Sequence, residues 1–424
     1  MTFEKLNIIA PILQALVTKG YVEPTPIQEK VIPHMLNGTD VFGTAQTGTG
    51  KTAAFAIPIL QNLYTGQSSP KGTPIRALIM APTRELAQQI SDNFTEYGRG
   101  LKLKHMVIYG GVSQNPQTET LRKGIDILIA TPGRLLDLIN QGFIKLNNIE
   151  YFILDEADHM LDMGFLPDIK RIIAKLPVRR QTGFFTATVP AEIRALADSL
   201  LNNPVKVNVA PHSAPAESVK QIVYYVEKTD KRAMLQEIFD TQDVETALVF
   251  TRTKHGADKV TKDLIKQGIS AAAIHGNKSQ MNRQKALNGF KARTIKVLVA
   301  TDIAARGIDV EKISHVINYE LPEVPETYVH RIGRTARAGE SGIAISFCAS
   351  EERGSLKDIN KLLPMDIEVK SMFGFTAAPA DMTSSKEKGN SSWGKPYSGR
   401  KSNQQRSNRN SQPSFYREKR ASGF

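Results

Sequence analysis

Short apolar runs alternate with amphipathic, helix-length stretches over most of the chain of 424 residues. Apolar runs at this spacing are typical of strands in a parallel sheet whose connections are helices. The runs occur in both halves of the sequence and are, in chain order, Asp40–Thr44, Ile75–Met80, Asp126–Ala130, Tyr151–Leu154, Thr182–Phe185, Ala247–Phe250, Ala271–Ile274, Lys296–Ala300, His315–Asn318 and Ile343–Phe347. This alternation predicts an α/β fold in which parallel sheets are covered by helices.

The alternation is interrupted by the segment 209–217, which contains two prolines and mostly small residues without an apolar period. Such a composition is typical of a linker. Periodicity ends near Met372, and the residues beyond it cannot bury enough apolar surface to fold. The sequence therefore predicts a first domain at 1–208, a short linker at 209–217, a second domain at 218–370 and a disordered basic C-terminal tail at 371–424.

Composition excludes several other classes of protein. Hydrophobic residues make up 41% and charged residues 23% of the chain, which argues against a wholly disordered or fibrous protein. The single cysteine, Cys348, cannot form an intrachain disulfide or a cysteine-based zinc site. No uncharged apolar run reaches about 18 residues, so we expect no membrane-spanning helix and no membrane partner. Leu6–Val17 lacks the flanks of a signal peptide, so we expect a cytoplasmic enzyme. That segment instead predicts a helix whose apolar face contains Leu6, Ile9, Leu13 and Leu16.

The positive charge is concentrated near the C-terminus. The chain has 55 Lys and Arg against 42 Asp and Glu, a formal net charge of +13. The segment 383–424 holds ten basic and two acidic residues, a net charge of +8, which leaves only +5 for residues 1–382. An excess of this size also occurs on solvated surfaces of proteins without polyanionic partners. Its concentration in a tail rich in Ser, Asn, Gln and Gly favours a disordered arm attracted to phosphates.

A glycine-rich segment, AQTGTGKT at 45–52, follows the first predicted strand. Its two glycines allow backbone N–H groups to curl around phosphate oxygens at a helix N-terminus. Lys51 would then hold the β- and γ-phosphates of ATP, and the Thr52 hydroxyl would coordinate Mg²⁺. The alternative is a glycine turn that happens to precede a lysine, because a strict P-loop has Gly where Ala45 stands. The predicted ATP-binding residues of this loop are Gln46, Thr47, Gly48, Thr49, Gly50, Lys51 and Thr52.

Three carboxylates within four positions, in the sequence DEAD, follow the apolar run Tyr151–Leu154. Burying them without a cation would be costly. At the end of a strand, Asp155 can reach the Mg²⁺ shell through water, and Glu156 can orient the attacking water as the general base. A solvated acidic turn is the alternative, and the preceding P-loop makes it less favoured.

ATP hydrolysis also needs a cation that faces the γ-phosphate and offsets its developing charge. The sequence HRIGRTARAG at 330–339 supplies Arg334 and Arg337, which are three residues apart and would share one face of a helix. An ordinary pair of surface arginines is the alternative. If these arginines reach across from the second domain, hydrolysis requires both domains to close, as a motor or switch needs.

Further motifs follow one another in a fixed order along the chain. Together with those above they are GYVEPTPIQ at 20–28, AQTGTGKT at 45–52, PTREL at 82–86, GG at 110–111, TPGR at 131–134, DEAD at 155–158, TAT at 186–188, LVFTRTK at 248–254, ATDIAARGID at 300–309 and HRIGRTAR at 330–337. With these motifs the sequence resembles a DEAD-box RNA helicase from residue 1 to about residue 370, and within that family it most resembles the bacterial RhlE branch. The resemblance implies two tandem RecA-like domains.

The resemblance implies roles for further residues. Gln28 would hydrogen-bond the adenine edge, Phe3 would stack on the adenine ring and Asp309 would contact the ribose. The alternative for Phe3 is that it only packs the N-terminal helix. The residues implied to line an RNA track offer hydroxyls, guanidiniums and open backbone, which suit phosphate and 2′-OH contacts rather than base reading. They are Thr83, Arg84, Gly111, Thr131, Arg134, Gly276, Arg283 and Thr301.

The chain departs from the family pattern at two positions. The resemblance implies that Thr186 and Thr188 act in catalysis, but the family usually has Ser where Thr186 stands. A β-branched residue is stiffer, so the coupling of ATP turnover to strand separation could differ. Ala336 stands where many relatives have Gly. Because alanine favours helix, we expect little functional effect there.

The function implied is an ATP-dependent RNA helicase that uses ATP and Mg²⁺ and separates RNA duplexes locally. A DNA-directed ATPase of the same architecture and an ATP-locked RNA clamp are the alternatives. Lys and Arg alternate with aromatic residues in the tail, which predicts a nonspecific RNA tether, whereas an inert solubilising tail is the alternative. We expect a monomer, with ribosomal particles or the RNA-decay machinery as possible settings.

Overall fold

The computed structural model describes residues 2–46, 48–66, 74–209, 219–305, 310, 312–336, 342–363 and 365–371. Within them, the strands form two parallel sheets, as the alternating pattern predicts, and each sheet has seven strands rather than the five predicted. We call the described residues up to 209 the first lobe and those from 219 the second lobe. Both belong to one compact unit, Met1–Ala378, and the remaining unit, Pro379–Phe424, lies outside the described residues together with most of the predicted tail and linker.

The first lobe contains the sheet with strand order β3-β4-β2-β5-β6-β1-β7. Its strands are β1 Val41–Thr44, β2 Ala77–Met80, β3 His105–Ile108, β4 Ile127–Ala130, β5 Tyr151–Leu154, β6 Gln181–Thr186 and β7 Val205–Asn208. Its helices are a 3₁₀ turn at Phe3–Leu6, α1 Ala10–Thr18, α2 Pro26–Leu36, α3 Lys51–Thr65, α4 Arg84–Tyr97, α5 Asn115–Arg122, α6 Pro132–Asn140, α7 Ala157–Asp162, α8 Leu166–Ile173 and α9 Ala191–Leu200.

The second lobe repeats this topology with the strand order β10-β11-β9-β12-β13-β8-β14. Its strands are β8 Val219–Tyr225, β9 Ala247–Phe250, β10 Ala271–Ile274, β11 Val297–Ala300, β12 His315–Asn318, β13 Gly342–Cys348 and β14 Glu368–Lys370. Its helices are α10 Lys231–Thr241, α11 Lys254–Lys266, α12 Gln280–Lys291, α13 Asp302–Ala305, α14 Pro325–Ile332, a 3₁₀ turn at Ser350–Glu352 and α15 Arg353–Leu362.

Strand β5 shows why the apolar runs become central strands. Phe152, Ile153 and Leu154 are fully buried, and successive side chains point to opposite faces of the sheet. Ile153 packs in the core on one face, whereas Phe152 and Leu154 pack in the core on the other. A continuous apolar run is therefore what a strand covered by helices on both faces requires.

Parallel pairing places the polar loops of each lobe at one edge of its sheet. In the first lobe, Thr44 pairs with Thr186 at the ends of β1 and β6, and Met80 pairs with both Ala130 and Leu154. The P-loop and the PTREL, TPGR and DEAD motifs follow four of these strands, and the TAT motif begins at the last residue of β6. The carboxyl edge of the first sheet therefore gathers the predicted functional residues of that lobe.

The predicted helix over Leu6–Val17 is wrong in its first turn. Phe3–Leu6 forms a 3₁₀ turn, Asn7 adopts a left-handed conformation with φ 57°, and α1 begins only at Ala10. Asparagine tolerates this conformation better than most residues, so the chain turns there and still buries Leu6.

Among the described helices, none is both long and apolar enough to span a membrane.

Candidate active site

The P-loop joins β1 to α3, and its conformation requires glycine at two positions. Gly48 has φ 85° and Gly50 has φ 93°, in the left-handed region that other residues rarely adopt. The buried Lys51 begins α3 and donates a hydrogen bond to the Ala45 carbonyl at 2.6 Å, while the Thr49 hydroxyl donates to the Gln46 carbonyl at 2.8 Å. The loop is thus fixed around a helix N-terminus, as a phosphate cradle requires. Thr47 lies outside the described residues.

Asp155 and Glu156 follow β5 and are both buried, with 2% and 3% exposure. Burial raises the pKa of Asp155 to about 7, although the Lys51 charge opposes this. Burial alone would also raise the pKa of Glu156, but a hydrogen bond with His159 and the nearby charges of Lys51 and Arg334 lower that pKa to about 2. Two adjacent carboxylates thus have pKa values pushed apart, which is typical of catalytic sites.

Two local features hold Glu156. Its backbone adopts a left-handed conformation with φ 51°, which turns the chain sharply at the end of β5. Its carboxylate Oε2 lies 2.9 Å from His159 Nδ1 on the first turn of α7. The carboxylate predicted to orient the attacking water is therefore fixed by its neighbours rather than free to rotate.

Asp158, the third carboxylate, has a different partner. Its Oδ2 accepts hydrogen bonds from the Thr188 amide at 2.8 Å, the Thr188 hydroxyl at 2.9 Å and the Ala187 amide at 3.2 Å. The Thr186 hydroxyl donates to the Thr188 carbonyl at 2.7 Å. The TAT segment is therefore bonded to the DEAD segment, and among the described residues that line the nucleotide cleft neither Thr186 nor Thr188 is found.

A cleft of about 590 Å³ opens in front of the P-loop and the first two carboxylates. It is lined by Gly48, Gly50, Lys51, Thr52, Asp155 and Glu156 from the first lobe, and by Lys291, Arg293, Val310 and Lys312 from the second. Its volume is within the range of small-molecule sites. Both lobes therefore form the walls of one cleft. Asp309 lies outside the described residues, but its neighbour Val310 lines this cleft.

The donors in the cleft fit Mg²⁺. Thr52 and Asp155 both line it, and Mg²⁺ is usually held by one or two protein oxygens together with phosphates and water. In the part of the chain that the structure describes, no group of three His, Cys, Asp or Glu side chains could hold a metal alone. A cation shared with phosphates agrees with this donor set.

Gln28 and Phe3, which are predicted to hold adenine, both contact other residues of the first lobe. Gln28 accepts a hydrogen bond from the Thr25 amide at 3.0 Å and donates to the Gly50 carbonyl at 3.2 Å, so it ties the start of α2 to the P-loop. Phe3 is only 4% exposed and is not among the described residues that line the cleft. It packs behind Tyr21, whose ring does line the cleft. The structure therefore favours Tyr21, rather than Phe3, as the ring that would face the base.

Residues of the second lobe approach the carboxylates. The charge of Arg334 lowers the pKa of Glu156, and the rings of His159 and His330 meet edge to face with centroids 5.4 Å apart. The prediction that Arg334 lies on a helix face is wrong, because α14 ends at Ile332 and Arg334 follows in a turn. Arg337 lies outside the described residues.

The helical interpretation of Ala336 is also wrong, whereas the expectation of little functional effect there stays a prediction. Ala336 has φ 53°, a left-handed conformation in which an alanine side chain is strained and glycine is not. Helix propensity is therefore the wrong criterion at this position.

Several residues predicted to bind RNA are brought together between the lobes. A side chain at Gly111 would collide with the Arg84 guanidinium, and Arg134 donates a hydrogen bond to the Val112 carbonyl at 3.2 Å. From the second lobe, Arg283 donates to Glu85 at 2.8 Å. Arg84, Gly111, Arg134 and Arg283 therefore belong to one surface at the junction of the lobes.

Gln280 strengthens this junction. Its amide donates to Glu85 at 3.1 Å, and its oxygen lies 3.5 Å from an Arg84 nitrogen. We call Arg84, Glu85, Gln280 and Arg283 the lobe junction. It joins the first turn of α4 to the first turn of α12.

The other residues predicted to bind RNA are placed less directly. The Thr83 hydroxyl caps α4 by accepting from the Leu86 amide at 3.2 Å, and Thr131 is buried at the start of α6. Gly276 has open space around its Cα, and the Thr301 amide donates to the Ile274 carbonyl at 3.4 Å. These last two follow the neighbouring strands β10 and β11, and no described contact joins them to the lobe junction.

Sequence reasoning missed the roles of Tyr21, Glu85, Asp158 and Gln280. Three of these residues stand inside motifs that the sequence displays, namely GYVEPTPIQ, PTREL and DEAD. The fourth, Gln280, precedes Arg283 by three residues, which places both on one face of α12. That spacing indicates from the sequence alone that Gln280 and Arg283 could act together. Their partners on the first lobe could not be predicted from the sequence.

Fold and site together define a two-lobed P-loop nucleoside triphosphatase whose cleft is closed by residues of both lobes. Residues 25–196 match the DEAD/DEAH box helicase family model, and residues 230–339 match the model of the helicase conserved C-terminal domain. The chain belongs to the DEAD-box family of ATP-dependent RNA helicases.

Individual relatives agree with this assignment. The chain is 42% identical to the DEAD-box ATP-dependent RNA helicase CshA of Bacillus cereus over 85% of this chain and 68% of that protein. It is also 42% identical to CshA of Bacillus subtilis, over 85% of this chain and 72% of that protein. Dbp5 of S. cerevisiae bound to RNA and ADP BeF3 matches with a TM-score of 0.75 and 28% identity, over 87% of this chain and 95% of that one. Placement in the RhlE branch stays a prediction.

Proposed function

We propose that this chain is an RNA-dependent ATPase that binds ATP with Mg²⁺ in the cleft between its lobes and locally separates RNA duplexes or remodels RNA–protein complexes. One observation carries the proposal: the P-loop and paired carboxylates of the first lobe share a cleft with residues of the second lobe. The predicted RNA-binding arginines Arg84 and Arg283 meet at the lobe junction. A ligand at either place would therefore favour the same contact between the lobes.

The residues of the cleft suit hydrolysis. Lys51 would exchange the Ala45 carbonyl for phosphate oxygens, and the ionised Glu156 would accept a hydrogen bond from the attacking water. Arg334 approaches Glu156 from the second lobe, where it would offset charge on the transferred phosphoryl group. Thr52 and Asp155 would hold Mg²⁺, which would supply positive charge against the phosphates and favour the ionised form of Asp155. The hydrogen bonds from Thr188 to Asp158 would position the TAT segment rather than contact the nucleotide.

The relatives support RNA as the ligand. Both CshA proteins are named ATP-dependent RNA helicases, and the Dbp5 structure holds RNA with ADP BeF3. The DNA-directed ATPase and the RNA clamp are not favoured by these similarities. The Arg84 guanidinium and the exposed backbone at Gly111 beside it suit a sugar–phosphate chain rather than base edges.

The basic tail would act as a tether. Ten Lys and Arg residues with interleaved aromatic residues in 383–424 suit nonspecific contact with unpaired RNA. Deleting this segment should weaken RNA affinity and its salt dependence while leaving the maximal ATPase rate nearly unchanged. We further propose that the protein acts in the cytoplasm as a monomer, on ribosomal or messenger RNA, with domains at 1–208 and 218–370.

The proposal is tested by strand separation on a short RNA duplex. Wild-type protein with ATP should release the labelled strand, and Glu156→Gln should abolish release because the attacking water is no longer oriented. Glu245→Gln is a matched control, since this exposed carboxylate precedes β9 at the opposite edge of the second sheet. ATP-independent release, or full activity of Glu156→Gln, would refute the proposed role.

A further inference from the structure

Three aromatic rings lie in a row, and two of them, Tyr21 and Tyr97, line the nucleotide cleft. Phe3 and Tyr21 stack with centroids 6.4 Å apart and planes within 19°, and Tyr21 meets Tyr97 at 6.0 Å. The hydroxyl oxygens of Tyr21 and Tyr97 lie 3.1 Å apart, within hydrogen-bond distance. Phe3 and Tyr97 are buried, whereas Tyr21 is partly exposed. The exposed ring is thus held between two buried ones.

This row of rings adjoins the phosphate site. Tyr21 lies in the loop that leads into α2, and the bond from Gln28 to the Gly50 carbonyl fixes the start of that helix against the P-loop. Tyr21 and Tyr97 line the same cleft as Gly50 and Lys51. A base carried by phosphates in the P-loop would therefore meet the Tyr21 ring, and bases stack on aromatic faces.

We propose that Tyr97 is a positioning residue for the nucleobase: its hydroxyl fixes the orientation of the Tyr21 ring on which the base stacks. This inference rests on the proposed function, since it requires that the cleft bind ATP. A partly exposed ring has rotational freedom that stacking must remove. A hydrogen bond from a buried neighbour removes that freedom before the nucleotide arrives, so less binding energy is lost on ordering.

Tyr97 is itself firmly placed. It is 2% exposed and packs in the core of the first lobe at the end of α4. The Lys19 ammonium lies 5.7 Å from the centre of its ring and forms an ion pair with Glu96. A cation over a tyrosine ring adds attraction to this packing. Tyr97 can therefore act as a fixed point that orients the partly exposed Tyr21 ring.

The same helix carries the lobe junction. Helix α4 begins with Arg84 and Glu85, which contact the second lobe, and ends with Tyr97, which contacts the ring facing the base. If α4 is rigid, it fixes the position of the base-stacking ring relative to the lobe junction. The proposal requires only the contact at Tyr97, and it is tested there.

The test compares ligands with and without a base. For Tyr97→Phe, calorimetry should show affinity for Mg²⁺–ADP weakened about three- to tenfold, the usual size for one hydrogen bond. Affinity for Mg²⁺–pyrophosphate, which has no base, should stay unchanged. Tyr21→Phe removes the other half of the same hydrogen bond and should give a similar loss, with no further loss in the double variant. The ATPase KM should rise while kcat at saturating ATP and RNA stays constant.

Tyr64→Phe is the matched control. It removes a hydroxyl from the last turn of α3, about 20 Å along the helix from Lys51, at a ring that is 46% exposed. Unchanged ADP affinity of Tyr97→Phe would overturn the inference. An equal loss for ADP and pyrophosphate would also overturn it, because the variant would then disturb the P-loop rather than the base. Failure of wild-type protein to bind ADP would instead refute the proposed function.

Discussion

Replacing Glu85 by glutamine removes one charge from the lobe junction and leaves its shape nearly intact. Glu85 is buried and faces both Arg283 at 2.8 Å and Gln280 at 3.1 Å. Burial lowers the pKa of Arg283 more than the attraction of Glu85 raises it, so the guanidinium loses much solvation in this position. Without the Glu85 carboxylate, no opposite charge at this contact offsets the solvation that the Arg283 guanidinium has lost.

The magnitude follows from the contacts. A hydrogen bond to a charged group contributes about 1.5–3 kcal/mol, and Glu85→Gln leaves the buried charge of Arg283 without its carboxylate partner. Because the contact joins two lobes, the cost falls on the association of the lobes and spares the two cores. We expect kcat/KM for RNA in the RNA-stimulated ATPase to fall about 10- to 100-fold, with little change in the thermal unfolding temperature.

A double-mutant cycle tests the assignment of this effect. In the Arg283→Met background the partner is already absent, so adding Glu85→Gln should cost less than threefold, roughly the limit of additivity for independent sites. Glu245→Gln serves as the exposed control. A full 10- to 100-fold loss in the Arg283→Met background, or wild-type activity of the single variant Glu85→Gln, would refute the reasoning.

Three further predictions concern the lobes themselves. Asp158→Asn weakens the acceptor of three hydrogen bonds from the TAT segment and should lower the free energy of unfolding in urea by about 1–3 kcal/mol; an unchanged value would contradict the anchoring of that segment. Replacing alanine by glycine inside a helix costs about 1 kcal/mol of stability. Because Ala336 has φ 53°, we expect Ala336→Gly to leave the free energy of unfolding in urea undiminished. Burial raises the pKa of Cys348 to about 12, so its thiol should resist a disulfide reagent at pH 8 until the protein is denatured. The stabilisation linked to this thiol is complete below its unfolded pKa of about 8.5 and is lost as the pH rises towards 12; rapid labelling of folded protein would contradict its burial.

Four of the strands could be read from the sequence with the bounds that the structure shows, namely Tyr151–Leu154, Ala247–Phe250, Ala271–Ile274 and His315–Asn318. Tyr151–Leu154 is an apolar run near the middle of its sheet, where helices cover both faces. His105–Ile108, Val205–Asn208 and Glu368–Lys370 were missed because edge strands are partly exposed and need no apolar run. Val219–Tyr225 was missed because Lys and Gln interrupt its apolar residues.

The motifs located the site because parallel strands end at one edge, so residues that follow them meet in space. The sequence could not predict which residue each polar side chain would bond to. Arg283 and Glu85 are 198 positions apart, and the bond from Thr188 to Asp158 spans 30 positions. Local pattern also misjudged Ala336 and Arg334, since the end of α14 depends on tertiary packing rather than on helix propensity.

The proposed function depends most directly on the response of ATP hydrolysis to nucleic acid. The measurement is the ATPase rate without nucleic acid, with single-stranded RNA and with DNA of the same sequence, each repeated with Glu156→Gln to exclude a contaminant. We predict strong stimulation by RNA alone and its loss in the variant. Equal stimulation by DNA would contradict recognition of the 2′-OH, and no stimulation by either would contradict the proposal that RNA at the lobe junction and ATP in the cleft favour the same contact between the lobes.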